Sequence, residues 1–138
     1  MPIREEAELE ETYSQRFRSD VITAGRAAER EAMGSDYGAN GYLTAAQADE
    51  LATRLALTAD DTLLDVGAGT GWPGLYLAKQ TGCHVVVSDL TVAGMTQALR
   101  RADEDGAADR TRAVVASARH LPFRPDSFDA IVHADVLC

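Results

Sequence analysis

A chain of 138 residues with 46% hydrophobic and 25% charged residues has the size and the apolar content of about one folded domain. Its net charge of −9 repels a phosphate backbone, which argues against nucleic acid as a partner. No apolar run approaches the roughly 20 residues of a membrane helix, and two cysteines, Cys83 and Cys138, are too few for a disulfide framework or a zinc site.

The start of the chain, Met1-Pro2-Ile3-Arg4-Glu5-Glu6, lacks the basic and apolar regions of a secretory leader. A cytoplasmic protein with spectator thiols is the resulting expectation. The charge is uneven: residues 1–62 carry 13 acidic and 6 basic groups, against 9 and 7 in residues 63–138. The arginines at 100, 101, 110, 112, 119 and 124 then read as a solvated face.

Tyr13, Phe17, Val21, Ala24 and Ala28 recur at spacings of 4, 4, 3 and 4, one face of an amphipathic helix. Gly25 lies inside it at a penalty of about 1 kcal/mol relative to Ala, so two shorter helices remain open. The stretch from Gly34 to Gly41 is dense in turn residues and reads as a loop. Thr44 with Gln47 makes a capping box for the next helix, whose buried stripe is Ala48, Leu51, Ala52 and Leu55.

From Thr62 the pattern alternates strand and helix, which predicts a parallel sheet with helices on its faces. The strands are expected at Thr62–Val66, Val85–Ser88, Arg112–Ala116 and Ala130–Ala134. The first intervening helix starts near Pro73 and stops at Gly82. The second carries Met95, Ala98, Leu99 and Ala102 on one face, with Gly106 beyond its end.

Three segments carry the chemistry. In Leu64-Asp65-Val66-Gly67-Ala68-Gly69-Thr70-Gly71, a strand runs into alternating glycines that let backbone approach a ligand closely. Val85-Val86-Val87-Ser88-Asp89 ends in a carboxylate 20 residues past Gly69, where a doubly wound sheet places a ribose acceptor. The third is His120-Leu121-Pro122-Phe123-Arg124-Pro125-Asp126-Ser127-Phe128-Asp129. Together, residues 62–138 resemble class I S-adenosylmethionine-dependent methyltransferases of the small-molecule, quinone-biosynthesis type, whose first motif is Asp/Glu-x-Gly-x-Gly-x-Gly.

The resemblance implies an α/β fold: a Rossmann-like parallel sheet with helices on both faces, strand order 3-2-1-4, preceded by N-terminal helices. Residues 1–61 would form a helical lid segment and 62–138 the cofactor-binding domain. The family sheet has seven strands, so the chain reads as truncated after the fourth, with an exposed edge through which it would associate and little activity by itself. The implied cofactor is S-adenosyl-L-methionine and the implied partner a small-molecule methyl acceptor, with no metal, nucleic acid or membrane.

Residue by residue, the resemblance puts Gly67, Ala68, Gly69 and Gly71 beneath the amino-acid part of the cofactor. Asp65 would favour its ammonium group, or alternatively cap the turn. Asp89 would accept from the ribose, or alternatively stabilise a helix N-terminus. Leu90 would pack on adenine or in the core. Ser117-Ala118 stands where the family has Asp-Ala at the adenine edge, and a serine hydroxyl is a weaker acceptor than a carboxylate. The Ala118 N–H is therefore the better contact.

Trp72 walls the pocket or packs as a half-buried tryptophan, and Tyr37 and Tyr42 stand in the loop that would fold over the cofactor. His133, at the end of the fourth strand, is the candidate base, with a pocket wall or a core histidine as the plainer role. Two other functions stay open: a nicotinamide-dependent oxidoreductase and a non-catalytic cofactor-binding module. The first wants Gly or Ala at position 72, where this chain has Trp.

Overall fold

A computed structural model describes residues 4–39 and 41–136. Three helices come first: α1 (Arg4–Arg16), α2 (Ser19–Met33) and α3 (Ala45–Leu55). Alternation follows through β1 (Thr62–Val66), α4 (Gly74–Thr81), β2 (His84–Asp89), α5 (Val92–Glu104), β3 (Thr111–Val115) and β4 (Ala130–His133). Met1-Pro2-Ile3 and Cys138 lie outside the described residues.

The strands form one parallel sheet in the order β3-β2-β1-β4, as expected. Its register sets Leu63 beside Val85 and Ala130, and Asp65 beside Val87 and Val132. Alternate residues of a strand share a face, and the face of Leu63, Val85, Val87 and Val132 enters a cluster with Leu75, Leu77 and Ala78 of α4 and Met95, Ala98 and Ala102 of α5. Ala48 of α3 joins it. On the other face Leu64 and Val66 are also buried, while Ile131 on β4 is exposed. A central parallel strand is apolar on both sides for this reason.

The interruption of β1 by Asp65 is the exception. Its carboxyl is fully buried, and its Oδ2 accepts the Gly74 N–H at 2.7 Å, capping α4. Burial outweighs that hydrogen bond and pushes the carboxyl well above the usual range, with the Asp89 charge adding to the shift.

The capping box at α3 is present in both directions: the Gln47 N–H donates to Thr44 Oγ1, and the Thr44 N–H to Gln47 Oε1. Such a cap is worth about 0.5–2 kcal/mol. Thr91 caps α5 in one direction only, its Oγ1 accepting the Gly94 N–H.

The N-terminal helices depart from expectation. The break falls at Phe17–Arg18, not at Gly25, and it resets the helical phase. Phe17 stays buried, but Val21, Ala24 and Ala28 face solvent, and Ile22 takes the inward place with Arg26 and Glu29. Glu29 earns that position chemically: it accepts from Ser35 Oγ and from the N–H groups of Tyr37 and Gly38. Leu99 is also exposed, because α5 turns Met95, Ala98 and Ala102 to the sheet.

Candidate functional site

A crevice of about 540 Å³ opens at the carboxyl ends of β1, β2 and β3. Its floor is the turn after β1. Gly67, Gly69 and Gly71 all adopt positive φ, at 69°, 56° and 102°, a region costly for residues with a Cβ. The turn is closed by the Gly71 N–H on the Ala68 carbonyl and anchored by the Ala68 N–H on the Ser88 carbonyl.

Asp89 organises the centre. Its Oδ2 accepts the Gly69 N–H at 2.9 Å, and its Oδ1 accepts the N–H and the hydroxyl of Thr91, each at 2.9 Å. A carboxylate offers about four lone-pair sites, so three protein donors leave one for a ligand.

Of the residues singled out in the sequence, Gly67, Ala68, Gly69, Asp89, Leu90, Ser117 and Ala118 line the crevice. Asp65 and Gly71 do not. Asp65 is turned into the core beneath α4, so the capping role is the one its geometry carries. A Cβ on Gly71 would run into Leu75 and Ala98. His133 opens instead on a separate hollow of about 280 Å³, bordered by Tyr42, Gln47 and Leu51.

Trp72 lines the crevice, and it is buried where a half-buried packing residue was the alternative; its Nε1–H donates to the Leu43 carbonyl at 3.0 Å. Neither tyrosine of the preceding loop reaches the crevice. Tyr37 packs against Trp72, donates to Asp105 and lies under the Arg101 guanidinium, whereas Tyr42 is exposed.

The expectation of a helical lid segment over residues 1–61 names no roof residue as a crevice contact. Glu5, Glu6, Leu9 and Tyr13 along one side of α1, and Phe17 just past its end, line the crevice opposite the glycine turn. A Cβ on Gly69 would stand 3.0 Å from the Phe17 ring. Thus the glycine makes room for a protein side chain, in addition to any ligand. Ser117 Oγ–H donates to Glu6 Oε1 at 2.5 Å, and Arg119 lies 3.4 Å from Glu5. At the other end the Tyr42 N–H donates to Asp135 Oδ2, tying the loop before α3 to the end of β4. Tyr13 and Phe17, four residues apart on the predicted helix face, form a stacked pair with centroids 5.9 Å apart.

A parallel sheet with a glycine turn after its first strand and an acid closing the second defines the class of Rossmann-like nucleotide-binding domains. Residues 63–138, more than half of the chain, match the family described as a methyltransferase domain, and the chain belongs to that family.

Two curated relatives illustrate the likeness. Methyltransferase GfsG of Streptomyces halstedii is 37% identical over 83 residues, 60% of this chain and 30% of that protein. The demethylmenaquinone methyltransferase of Clavibacter sepedonicus is 40% identical over 77 residues, 56% of this chain and 30% of its own. Among solved structures, geranyl diphosphate C-methyltransferase from Streptomyces coelicolor A3(2), in complex with Mg2+, geranyl diphosphate and S-adenosyl-L-homocysteine, superposes with a TM-score of 0.58 at 30% identity, over 64% of this chain and 34% of that one. The chain spans 20% to 31% of the length of the first curated relatives it matches.

Proposed function

We propose that the chain forms the S-adenosyl-L-methionine-binding part of a methyltransferase that acts on a small molecule. The observation that carries this reading is the Asp89–Gly69 hydrogen bond at the mouth of the crevice, in a chain of the methyltransferase family. It presents a ribose acceptor and a bare backbone turn to the same ligand.

The residues present fit such a group. Thr70 lines the crevice, and its Oγ1 is buried with no hydrogen-bond partner among the described residues. A buried hydroxyl left that way loses about 1–3 kcal/mol relative to a satisfied one, so a polar ligand atom beside it is favoured. When bound, the cofactor supplies a sulfonium methyl group already activated for in-line displacement. Gly67, Ala68 and Gly69 support its amino-acid part, Asp89 takes a ribose hydroxyl at its remaining site, and Leu90 and Ala118 flank the base. Phe17 and Tyr13 exclude water from above. Holding nucleophile and methyl carbon in near-attack geometry is the main catalytic demand of this chemistry.

A small acceptor is supported by relatives named for demethylmenaquinone and geranyl diphosphate and by the net charge of −9, which opposes a nucleic acid. No helix among the described residues is long and apolar enough to cross a membrane.

Titration calorimetry of the chain with S-adenosylhomocysteine and, separately, with NAD tests the reading. Saturable binding of the first and weaker binding of the second is expected. Preferential NAD binding would overturn it in favour of an oxidoreductase.

A further inference from the structure

Position 117 lacks the carboxylate expected at the adenine edge, yet a carboxylate stands there. Glu6 reaches across 111 residues of sequence from α1, and its Oε1 takes the Ser117 hydroxyl proton at 2.5 Å. Its side chain is only 13% exposed, and both residues line the crevice. We propose that Glu6, delivered by the N-terminal helix and held by Ser117, is the residue that recognises the exocyclic amine of the cofactor's adenine. This rests on the S-adenosylmethionine reading above.

The placement follows from the sheet. The glycine turn after β1 takes the amino-acid end and Asp89 at the end of β2 the ribose, so the base extends outward over the end of β3. That end is Ala116-Ser117-Ala118. The Ser117 hydroxyl hydrogen is committed to Glu6, and its oxygen already accepts the Arg119 N–H at 3.2 Å. One lone pair is left on that neutral oxygen, and the Glu6 carboxylate beside it is the better acceptor for an amine, because an ionised acceptor makes the shorter and stronger bond. Arg119, 4.0 Å from Glu6 and 3.4 Å from Glu5, balances the acidic start of α1 and keeps the helix over the base. Glu5 is the more solvent-exposed of the pair and is held by that ion pair.

Recognition of this kind rejects a base that offers an oxygen in place of the amine, because a carboxylate facing a carbonyl is left without a donor. The experiment is titration calorimetry of the full chain with S-adenosylhomocysteine and S-inosylhomocysteine, with circular dichroism to check each variant's fold. The wild-type chain should prefer the adenosyl compound by about 10-fold or more. Glu6→Ala should lower affinity for it by about 10-fold and bring the two ligands within about 3-fold of each other. Ser117→Asp in the Glu6→Ala background should restore the preference by returning a carboxylate to the rim. If Glu6→Ala keeps the wild-type ratio, Glu6 is not the recognising group. If the wild-type chain binds neither compound, the cofactor reading falls and this proposal with it.

Discussion

Asp89 Oδ2 accepts the Gly69 N–H at 2.9 Å, joining the end of β2 to the middle of the turn that follows β1. The other oxygen of the same carboxylate holds both polar hydrogens of Thr91, the residue that caps α5. One side chain therefore fixes the floor of the crevice and the start of a helix. The binding role proposed for it cannot be separated from this structural one.

Asp89→Ala should accordingly weaken both. Hydrogen bonds to a charged group are worth about 1.5–3 kcal/mol each in the net, and relaxation of the exposed side of the turn recovers part of that loss. A drop in stability of about 2 kcal/mol, read by urea unfolding, is expected together with at least 10-fold weaker S-adenosylhomocysteine binding. Unchanged affinity in a folded variant would remove Asp89 from the site.

Gly69→Val should abolish binding and loosen α1. Gly69 has φ +56°, and a Cβ there meets the Phe17 ring at 3.0 Å. The left-handed conformation costs a residue with a Cβ about 1–2 kcal/mol before any contact is counted. Phe17→Ala removes the contact but not the dihedral penalty, so the double variant should remain less stable than Phe17→Ala alone. Equal unfolding midpoints for those two would show that the ring contact is the whole effect.

The sheet and its glycine turn were legible because they are local events. A β-branched run, a turn and a capped helix announce themselves within a dozen residues, so β1 was placed as it stands and β2 missed only His84 and Asp89 at its ends. The crevice floor and rim share that locality, and the family resemblance assigns Gly67, Asp89, Leu90 and Ser117 to them position by position. The roof has no such assignment. Glu6 meets Ser117 across 111 residues, and no pattern within α1 records that contact. The helix break at Phe17–Arg18 was equally hidden, since neither residue is a strong breaker and Gly25 drew the attention. Inward-facing Arg26 and Glu29 also defeat any reading that equates burial with apolar side chains. Of the two roles open to Asp65, the structure shows the capping one, because a motif position says which turn is built and not which way the carboxyl faces.

Trp72 is the sole tryptophan of the chain, 5% exposed, with its indole ring on the crevice wall. Its emission should therefore change on ligand binding, saturating with the same midpoint as calorimetry. Trp72→Phe removes the hydrogen bond to the carbonyl of half-buried Leu43, a net loss of about 0.5–1.5 kcal/mol. A fluorescence response absent while calorimetry shows binding would place the ligand away from this wall.

Asp65 gives the fold a pH dependence of unusual sign. Its carboxyl is fully buried, its Oδ1 has no hydrogen-bond partner among the described residues, and burial raises its pKa well above 3.8. The folded state then holds a proton that the unfolded chain releases once pH passes 3.8. Stability falls wherever the folded state binds more protons as pH rises, so the Asp65 contribution is most favourable below 3.8 and is lost between that value and the raised folded one. Asp65→Asn keeps an oxygen for the Gly74 N–H and removes the titration. Urea unfolding across about pH 4 to pH 8 should show the variant gaining on the wild type as pH rises, with the two closest at the acid end. Parallel profiles, or a variant that loses ground toward pH 8, would mean that Asp65 is ionised in the folded protein across this range.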